Sequence, residues 1–473
     1  MLQPKTDKFL EYSISELKEQ AYQSLLSKPD NEIVLLRVIL PPISHFKKIY
    51  PALQSKLLPQ FYLKDRKGEK IYLAQGSLLE IASHSDYHAA KEAYVALENL
   101  PEGSKLFGGF SFFPKPQTNP WESFPVSYFF LPNFLWEFTK ENTVLYMHFF
   151  KQHDEKENQD AIHALFDSLT QNLSLGTFTN VNPREPSCTP TFPQYKEIVE
   201  YALKNIRWNH FKKVVLAREV QCNCSLTAEE VLEALDNGEP SFLFYFRPDE
   251  TSVFLGRSPE LLLDIKKGAT GASIVTEAVA GNRPRSKNPV ENGNKEQELL
   301  HSEKDIQEHD FVVKYIEEVL DEFTTNLFTT TSNTLKVLQN VHHLYRTFRG
   351  KLKPYTSEEE ILETFHPTPA LGGYPKRKSL RFLEEHEIMD RGWYGAPIGF
   401  ISARHSLFLV AIRSALLQGN RMHIFSGSGI VRQSDPGLEW QELNVKIKHF
   451  LDILEKADPK EVEKLKSLLS IEC

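Results

Sequence analysis

Cysteine is scarce: the chain of 473 residues has four, at Cys188, Cys222, Cys224 and Cys473. Cys222-Asn223-Cys224 is spaced too tightly for a zinc site and lacks a second pair, so no metal knuckle is expected and the composition points to a reducing cytoplasm. Long apolar runs are missing as well. No stretch reaches the roughly 18 residues that cross a bilayer, and the opening MLQPKTDKFLEY has no apolar h-region, so neither a membrane span nor a secretion signal is expected. Lys and Arg are scattered and form no stripe, and the net charge is −8, which argues against a nucleic-acid partner. What is present is ordinary for a globular chain, 41% apolar and 25% charged. A length of 473 residues exceeds one simple core, so two domains or one unusually large mixed α/β domain is expected.

The most informative stretch is Ser426 to Lys446, SGSGIVRQSDPGLEWQELNVK. Its SGSG run reads as a turn small enough for successive N–H groups to converge on an anion. Asp435-Pro436 is a favoured N-cap and first helical residue, and from there Glu439, Glu442 and Lys446 fall on one helical stripe. Such a triplet alone reads as a solvated, salt-bridged face. The apolar runs Leu407 to Leu417 and Met422 to Phe425 that precede it place the helix at the end of a buried sheet. There, two carboxylates suit a hard cation such as Mg²⁺, which takes one or two carboxylates plus substrate oxygens.

Taken in order, the first 180 residues read as short strands at Glu32 to Leu40, Lys70 to Ala74, Phe107 to Phe113, Val126 to Leu131 and Val144 to Phe150. Gly108-Gly109 suggests close backbone packing. A helix is expected over Gln159 to Leu173, and the Pro, Thr and Ser rich segment Ser174 to Phe192 is the best boundary. A helix at Gln194 to Asn209 then leads to the buried strand Val214 to Ala217, with Lys213 at its entrance, where a lysine is ordinarily an exposed end-charge. Thr227 and Glu230 form a capping box, and strands follow at Phe242 to Phe246 and Ser252 to Gly256. Glu260 sits in a Pro-bent junction ahead of an apolar run, where burial would raise its pKa enough for it to donate a proton.

Ala280-Gly281-Asn282-Arg283-Pro284-Arg285 reads as a glycine turn followed by a loose loop to Asn294, then a long helix from Lys295 to about Phe323. Most charges of its SEKDIQEH segment read as exposed, but Glu308 precedes Phe311, Val312 and Val313 and lies near the buried side. Ser357 and Glu360 cap a helix that ends in His366-Pro367-Thr368-Pro369-Ala370-Leu371-Gly372-Gly373, a rigid wall type of loop. Arg413, expected within an apolar strand, needs a carboxylate from protein or ligand.

Together KVVLAR, SPELLL, SEKDxxEH, HPTPALGG, WYGAP, IRSA and SGSGIVxxSDPxxEWxE resemble, in order, the signature segments of the chorismate-utilising enzymes, over about Gln194 to His449. The family comprises isochorismate, salicylate, anthranilate and aminodeoxychorismate synthases. The resemblance implies an α+β fold, one large domain of antiparallel sheets sandwiched by helices around a deep cleft. Residues 1–180 would be a β-rich amino-terminal part of that fold, 190–456 the chorismate-binding catalytic region and 457–473 a tail. It further implies Lys213 as general base and Glu260 as general acid, with Glu308 and Glu442 as Mg²⁺ ligands and Glu439 supporting through the metal's waters. Chorismate, a dianion, would lie against Gly281, Thr368, Ala370, Tyr394, Arg413, Gly427, Ser428, Gly429 and Lys446. A lysine base has a reference pKa of about 10.4, so Lys213 would have to be depressed by burial or a neighbouring positive charge.

Two details point within the family. Lysine at 213, where the ammonia-using members resemble one another in having Gln, implies water as nucleophile. Ala370-Leu371-Gly372-Gly373 resembles the isochorismate-forming members, with salicylate formation and a silent chorismate-fold binding protein as alternatives. The implied product would supply menaquinone or siderophore synthesis, made by a monomer or homodimer. Asn282 and Arg257 depart from the family's usual Thr or Ser and small residue.

Overall fold

The computed structural model describes residues 14–43, 46–171, 184–286, 288–329, 334–337 and 341–470. Among them are two antiparallel sheets. The larger runs Ile33–Leu40, Thr143–Phe150, Phe134–Thr139, Lys70–Gln75, Gln60–Lys64, Phe242–Arg247, Ser252–Ser258, Ser414–Gln418, Arg421–Ile430, Lys213–Asn223 and Gly373–Tyr374, with Ser187–Thr189 beside Lys213–Asn223. The smaller runs Thr324–Thr329, Val341–Leu352, Gly271–Pro284, Leu261–Gly268, His405–Val410, Pro397–Ser402, Lys105–Phe110, Ser127–Leu131 and Leu79–Ser83, with Thr334–Val337 beside Val341–Leu352.

The sheets meet through aromatic side chains. Phe61 packs on Phe107 at 5.4 Å between ring centroids, Tyr72 on Phe400 at 5.0 Å and Phe246 on Tyr128 at 5.6 Å, each pair joining one sheet to the other. Helices pack against both sheets. Pro436–Ala457 and Phe192–Arg207 lie against Arg421–Ile430, and Glu303–Phe323 lies against Gly271–Pro284. This is the expected arrangement of antiparallel sheets and helices, and among the described residues no helix is long and apolar enough to cross a membrane.

Local chemistry sets several boundaries as anticipated. The Asp435 carboxylate accepts from the N–H groups of Gly437 and Leu438 at 2.9 and 3.0 Å, with Pro436 opening the helix. Thr227 and Glu230 close a reciprocal capping box, and Ser357 accepts from the Glu360 N–H.

Elsewhere the structure corrects the sequence expectations. The expected turn and loose loop after Ala280 are the end of the Gly271–Pro284 strand and the Pro289–His301 helix, so the long helix is two, divided at Ser302, which caps the second. The single apolar strand expected at Leu407 to Leu417 is two strands, His405–Val410 and Ser414–Gln418, parted at Arg413 in the left-handed region at φ 52°. Strands Gln60–Lys64, Leu79–Ser83 and Phe134–Thr139 and helices Ile14–Leu26 and His88–Leu97 were not expected. The opening MLQPKTDKFLEY, Cys473 and positions 174–183 of the expected connection lie outside the described residues. Residues Pro459–Leu468 form a helix with Val462 and Leu465 buried.

Gly108 is required by contact rather than by φ. A methyl group there would stand 1.8 Å from the Tyr128 carbonyl oxygen in the neighbouring strand. Gly108→Ala should therefore destabilise the protein by about 3 kcal/mol or more, read from urea unfolding, and a loss under about 1 kcal/mol would contradict this packing.

Candidate functional site

The site begins with a strand pair. Lys213–Asn223 runs antiparallel to Arg421–Ile430, with Val215 opposite Gly429 and Ala217 opposite Gly427. Val215 N–H turns away to Gly372 O and Ala217 N–H to Glu387, so these are the non-hydrogen-bonded pairs of the ladder. Gly427 and Gly429 therefore direct their N–H and C=O groups to the opposite edge. Among the described residues that edge is free of a strand, because Ser414–Gln418 pairs with Arg421–Ile430 only as far as Ile424. SGSG is thus strand and not turn. Two of its amides still face a common space, while Ser428 alternates into the ladder and its hydroxyl meets Tyr195 at 2.5 Å.

Around this open edge lies a cleft of about 680 Å³ whose lining includes Glu260, Glu308, Tyr394, Arg413, Glu442 and Lys446. Gly281, Ala370, Gly427 and Gly429 line it too, whereas Lys213, Thr368, Ser428 and Glu439 do not. Lys213 is nevertheless adjacent: it is fully buried, its Nζ lies 3.0 Å from Glu308, and a methyl group on Gly429 would come within 3.0 Å of its Cε and 2.2 Å of Glu308 Oε1. Of the two influences anticipated for it, burial and a nearby positive charge, the structure provides burial, while the charge in contact with it is negative. Glu439 is buried behind the lining and pairs with Lys304 at 2.5 Å, and Glu442 pairs with Lys446 at 2.6 Å. Each carboxylate is held by a lysine, but only Glu442 and Lys446 of the expected stripe line the cleft.

Charge and burial conflict here in a useful way. Burial raises Glu260 to about 8, against the opposing charges of Lys336, Lys213 and Lys446, so its carboxyl is protonated at neutral pH. Burial, then the charge of Glu442, raises Glu439 above the usual carboxylate range, and among the described residues its Oε2 has no hydrogen-bond partner. Arg413, pulled down to about 10 by burial and the nearby Arg257, remains cationic and donates to the Lys446 carbonyl at 3.0 Å. Arg257 pairs with Glu239 at 2.7 Å. Lys446 Nζ donates to Gly427 O at 2.7 Å.

Sequence reasoning missed His343 and Lys304. His343 lines the cleft with Nδ1 2.9 Å from Gly281 O, and burial lowers it to about 3, so it is a neutral ring that donates from Nδ1 and leaves Nε2 as an acceptor. In the strand run VHHLYRTF a histidine carries no signal of its own. Lys304 was read as part of an exposed face, and only the distant Glu439 reveals its place.

Among the described residues, no three His, Cys, Asp or Glu side chains converge into a ready-made metal site. Glu308 and Glu442 do share the cleft lining, and the partnerless Glu439 Oε2 beside Glu442 is the kind of crowded negative charge that a cation relieves. That fits an ion bound by few carboxylates and by substrate.

The family model described as chorismate binding enzyme matches residues 20–455. This chain belongs to the chorismate-binding enzyme family. It is 30% identical over 442 residues to the isochorismate synthase MenF of Haemophilus influenzae, covering 93% of this chain and 95% of the relative. It is 31% identical over 365 residues to MenF of Bacillus subtilis, covering 76% of each. Its fold matches the solved structure of the menaquinone-specific isochorismate synthase MenF of Escherichia coli with a TM-score of 0.80 at 24% identity, over 94% of this chain and 99% of that one.

For this chorismate-binding enzyme, Gly429→Ala should force Glu308 and Lys213 apart. Chorismate binding measured by calorimetry should weaken about tenfold or more, since overpacking of this kind costs about 1–3 kcal/mol. An unchanged affinity would show that the close approach at Gly429 is not needed.

Proposed function

We propose that this enzyme is an isochorismate synthase, converting chorismate to isochorismate by adding water at the ring carbon next to the carboxylate-bearing carbon while the original hydroxyl departs. The observation that carries this reading is a carboxyl held protonated at neutral pH, Glu260, in the same cleft that Lys213 approaches from beneath Gly429. Once its ammonium has given up a proton, Lys213 as the free amine takes the proton from the attacking water, and the ammonium so restored is stabilised by Glu308 at 3.0 Å. Glu260 gives its proton to the leaving hydroxyl, which departs as water.

Arg413, Tyr394, Lys446 and the N–H groups of Gly427 and Gly429 take the enolpyruvyl carboxylate. Burial keeps the Tyr394 phenol neutral, so it acts as a donor. Gly281 and Ala370 shape the walls, and Thr368 braces the Ala370-Leu371 wall from behind, its carbonyl accepting from the N–H groups of Leu371 and Gly372. Glu308 and Glu442 would hold Mg²⁺, with Glu439 supporting through its waters, and the ion would supply neutralisation of the ring carboxylate. Glutamine at 308 or 442 keeps the shape and removes the charge. Either variant, or excess chelator, should abolish turnover, and full activity in chelator would exclude the metal.

Three further outcomes follow. Glu260→Gln should still bind chorismate but lose about 10²- to 10⁴-fold in kcat, as should Lys213→Ala. Because Glu260 must be protonated to act and its pKa is raised to about 8, kcat should fall as pH rises through about 8, and a kcat that climbs steadily to pH 10 would refute the acid role. Product analysis should give isochorismate without stoichiometric pyruvate in a coupled lactate dehydrogenase assay. Equimolar pyruvate would assign salicylate formation instead.

A further inference from the structure

The backbone that carries Glu260 is gripped from behind. The Pro259 carbonyl accepts hydrogen bonds from Arg66 Nη2 at 3.1 Å and from Lys336 Nζ. One carboxylate ties both donors together: Glu277 receives Arg66 in a two-pronged pair at 2.7 Å on each oxygen, Lys336 at 3.1 Å and the Tyr345 hydroxyl at 2.6 Å. Glu277 Oε2 also accepts from the Leu261 N–H at 3.5 Å. The residues on both sides of Glu260 are therefore fastened to one cluster. Its members come from far apart in the chain: the turn between Gln60–Lys64 and Lys70–Gln75, the strand Gly271–Pro284 and the strand Thr334–Val337. The seven signature segments contain none of them.

We propose that Arg66, Glu277 and Lys336 are positioning residues for Glu260, holding the Pro259–Leu261 junction so that the carboxyl faces the cleft and biasing its hold on the proton through their charges. This rests on the reading of Glu260 as general acid. Arg66 gives the amino-terminal part of the chain a direct stake in the chemistry. Burying a cation, an anion and a second cation here is worthwhile only if the geometry is closed, and it is: all three meet one another or a single carbonyl.

The electrostatics give the cluster a signature that packing alone lacks. Burial is the main influence on Glu260; Lys336, Lys213 and Lys446 oppose it with positive charge, Glu277 reinforces it, and the Tyr394 phenol faces the same carboxyl. Lys336, itself pulled down to about 8 by burial and partly restored by Glu277, changes charge in the same range. Glu277 is buried too, but Arg66 and Lys336 hold it well below the usual carboxylate range, so its negative charge is constant. Removing the lysine charge should thus make Glu260 hold its proton to higher pH, whereas removing Glu277 takes away a negative charge together with the support it gives the Lys336 charge, so that its two effects on Glu260 oppose each other.

The test is the alkaline limb of kcat against pH, with chorismate affinity measured in parallel. Lys336→Met should lower kcat and move the limb up by about one pH unit, Lys336→Arg, which keeps the charge, should restore the wild-type limb, and Glu277→Gln should lower kcat by loosening the junction. Chorismate affinity should change little in all three. If Glu277→Gln fails to fold, Lys336→Met against Lys336→Arg decides the matter alone. A limb that stays in place in Lys336→Met, or that Lys336→Arg moves as far as Lys336→Met does, would overturn the proposal and leave the cluster a structural brace. Near wild-type turnover in Glu260→Gln would instead remove the general-acid reading beneath it.

Discussion

The site depends on one interruption in sheet pairing. Ser414–Gln418 accompanies Arg421–Ile430 only to Ile424, because Arg413 turns the chain away in a left-handed conformation. Beyond that point, one edge of the Arg421–Ile430 strand has no strand partner among the described residues, and buried backbone groups without partners are costly. The Pro436–Ala457 helix answers in part, its Lys446 donating to Gly427 O. The N–H groups facing the same edge call for an acceptor that the protein does not need to provide if a carboxylate substrate does. Two glycines at 427 and 429 leave the room. Side chains there would strike Tyr394 and Glu308.

Holding that helix in register is the task of its far side. Trp440 stacks against the buried Arg218 guanidinium at 4.4 Å and donates through Nε1 to Leu469 O at 2.9 Å, while Asn444 accepts from Arg218 at 2.8 Å. The helix Pro459–Leu468 thus clamps Pro436–Ala457 against the sheet from which Lys213 arises. The charged pairs on the cleft side can be tolerated only because that placement is firm. Breaking one partner of a buried pair leaves an uncompensated charge at about 3–5 kcal/mol, so pairs such as Lys213 with Glu308 hold each other in place before any ligand arrives.

What could be read from the sequence was what short-range chemistry decides. Asp435-Pro436, Thr227 with Glu230, and Ser357 with Glu360 announce helix starts because cap and capped amide are at most three residues apart. SGSG was misread because small residues suggest a turn, whereas its conformation is set by pairing with Lys213–Asn223, more than two hundred positions away. Glu308 was legible from the apolar residues that follow it, but its ion pair with Lys213 was not, since no spacing rule links a helix to a strand entrance. Lys304, His343 and Arg66 share that reason: each is ordinary locally and acquires meaning only from a partner on another element. Ser302 was hidden because a charged run on both sides kept the helical pattern continuous.

The amino-terminal part carries no signature yet cannot be treated as an attachment. Gln60–Lys64 pairs with Phe242–Arg247 in one sheet, and Lys105–Phe110 pairs with Pro397–Ser402 in the other. Each sheet therefore runs through both parts of the chain, and the aromatic layer between the sheets is drawn from both, as Phe61 on Phe246 within one sheet and Phe107 on Phe400 within the other illustrate. Sheet pairing constrains such residues to be apolar and alternating, which many sequences satisfy, whereas the cleft constrains residue type at single positions. A motif can therefore appear only where the chemistry is, even though the scaffold that aims it is built equally from residues with no motif at all.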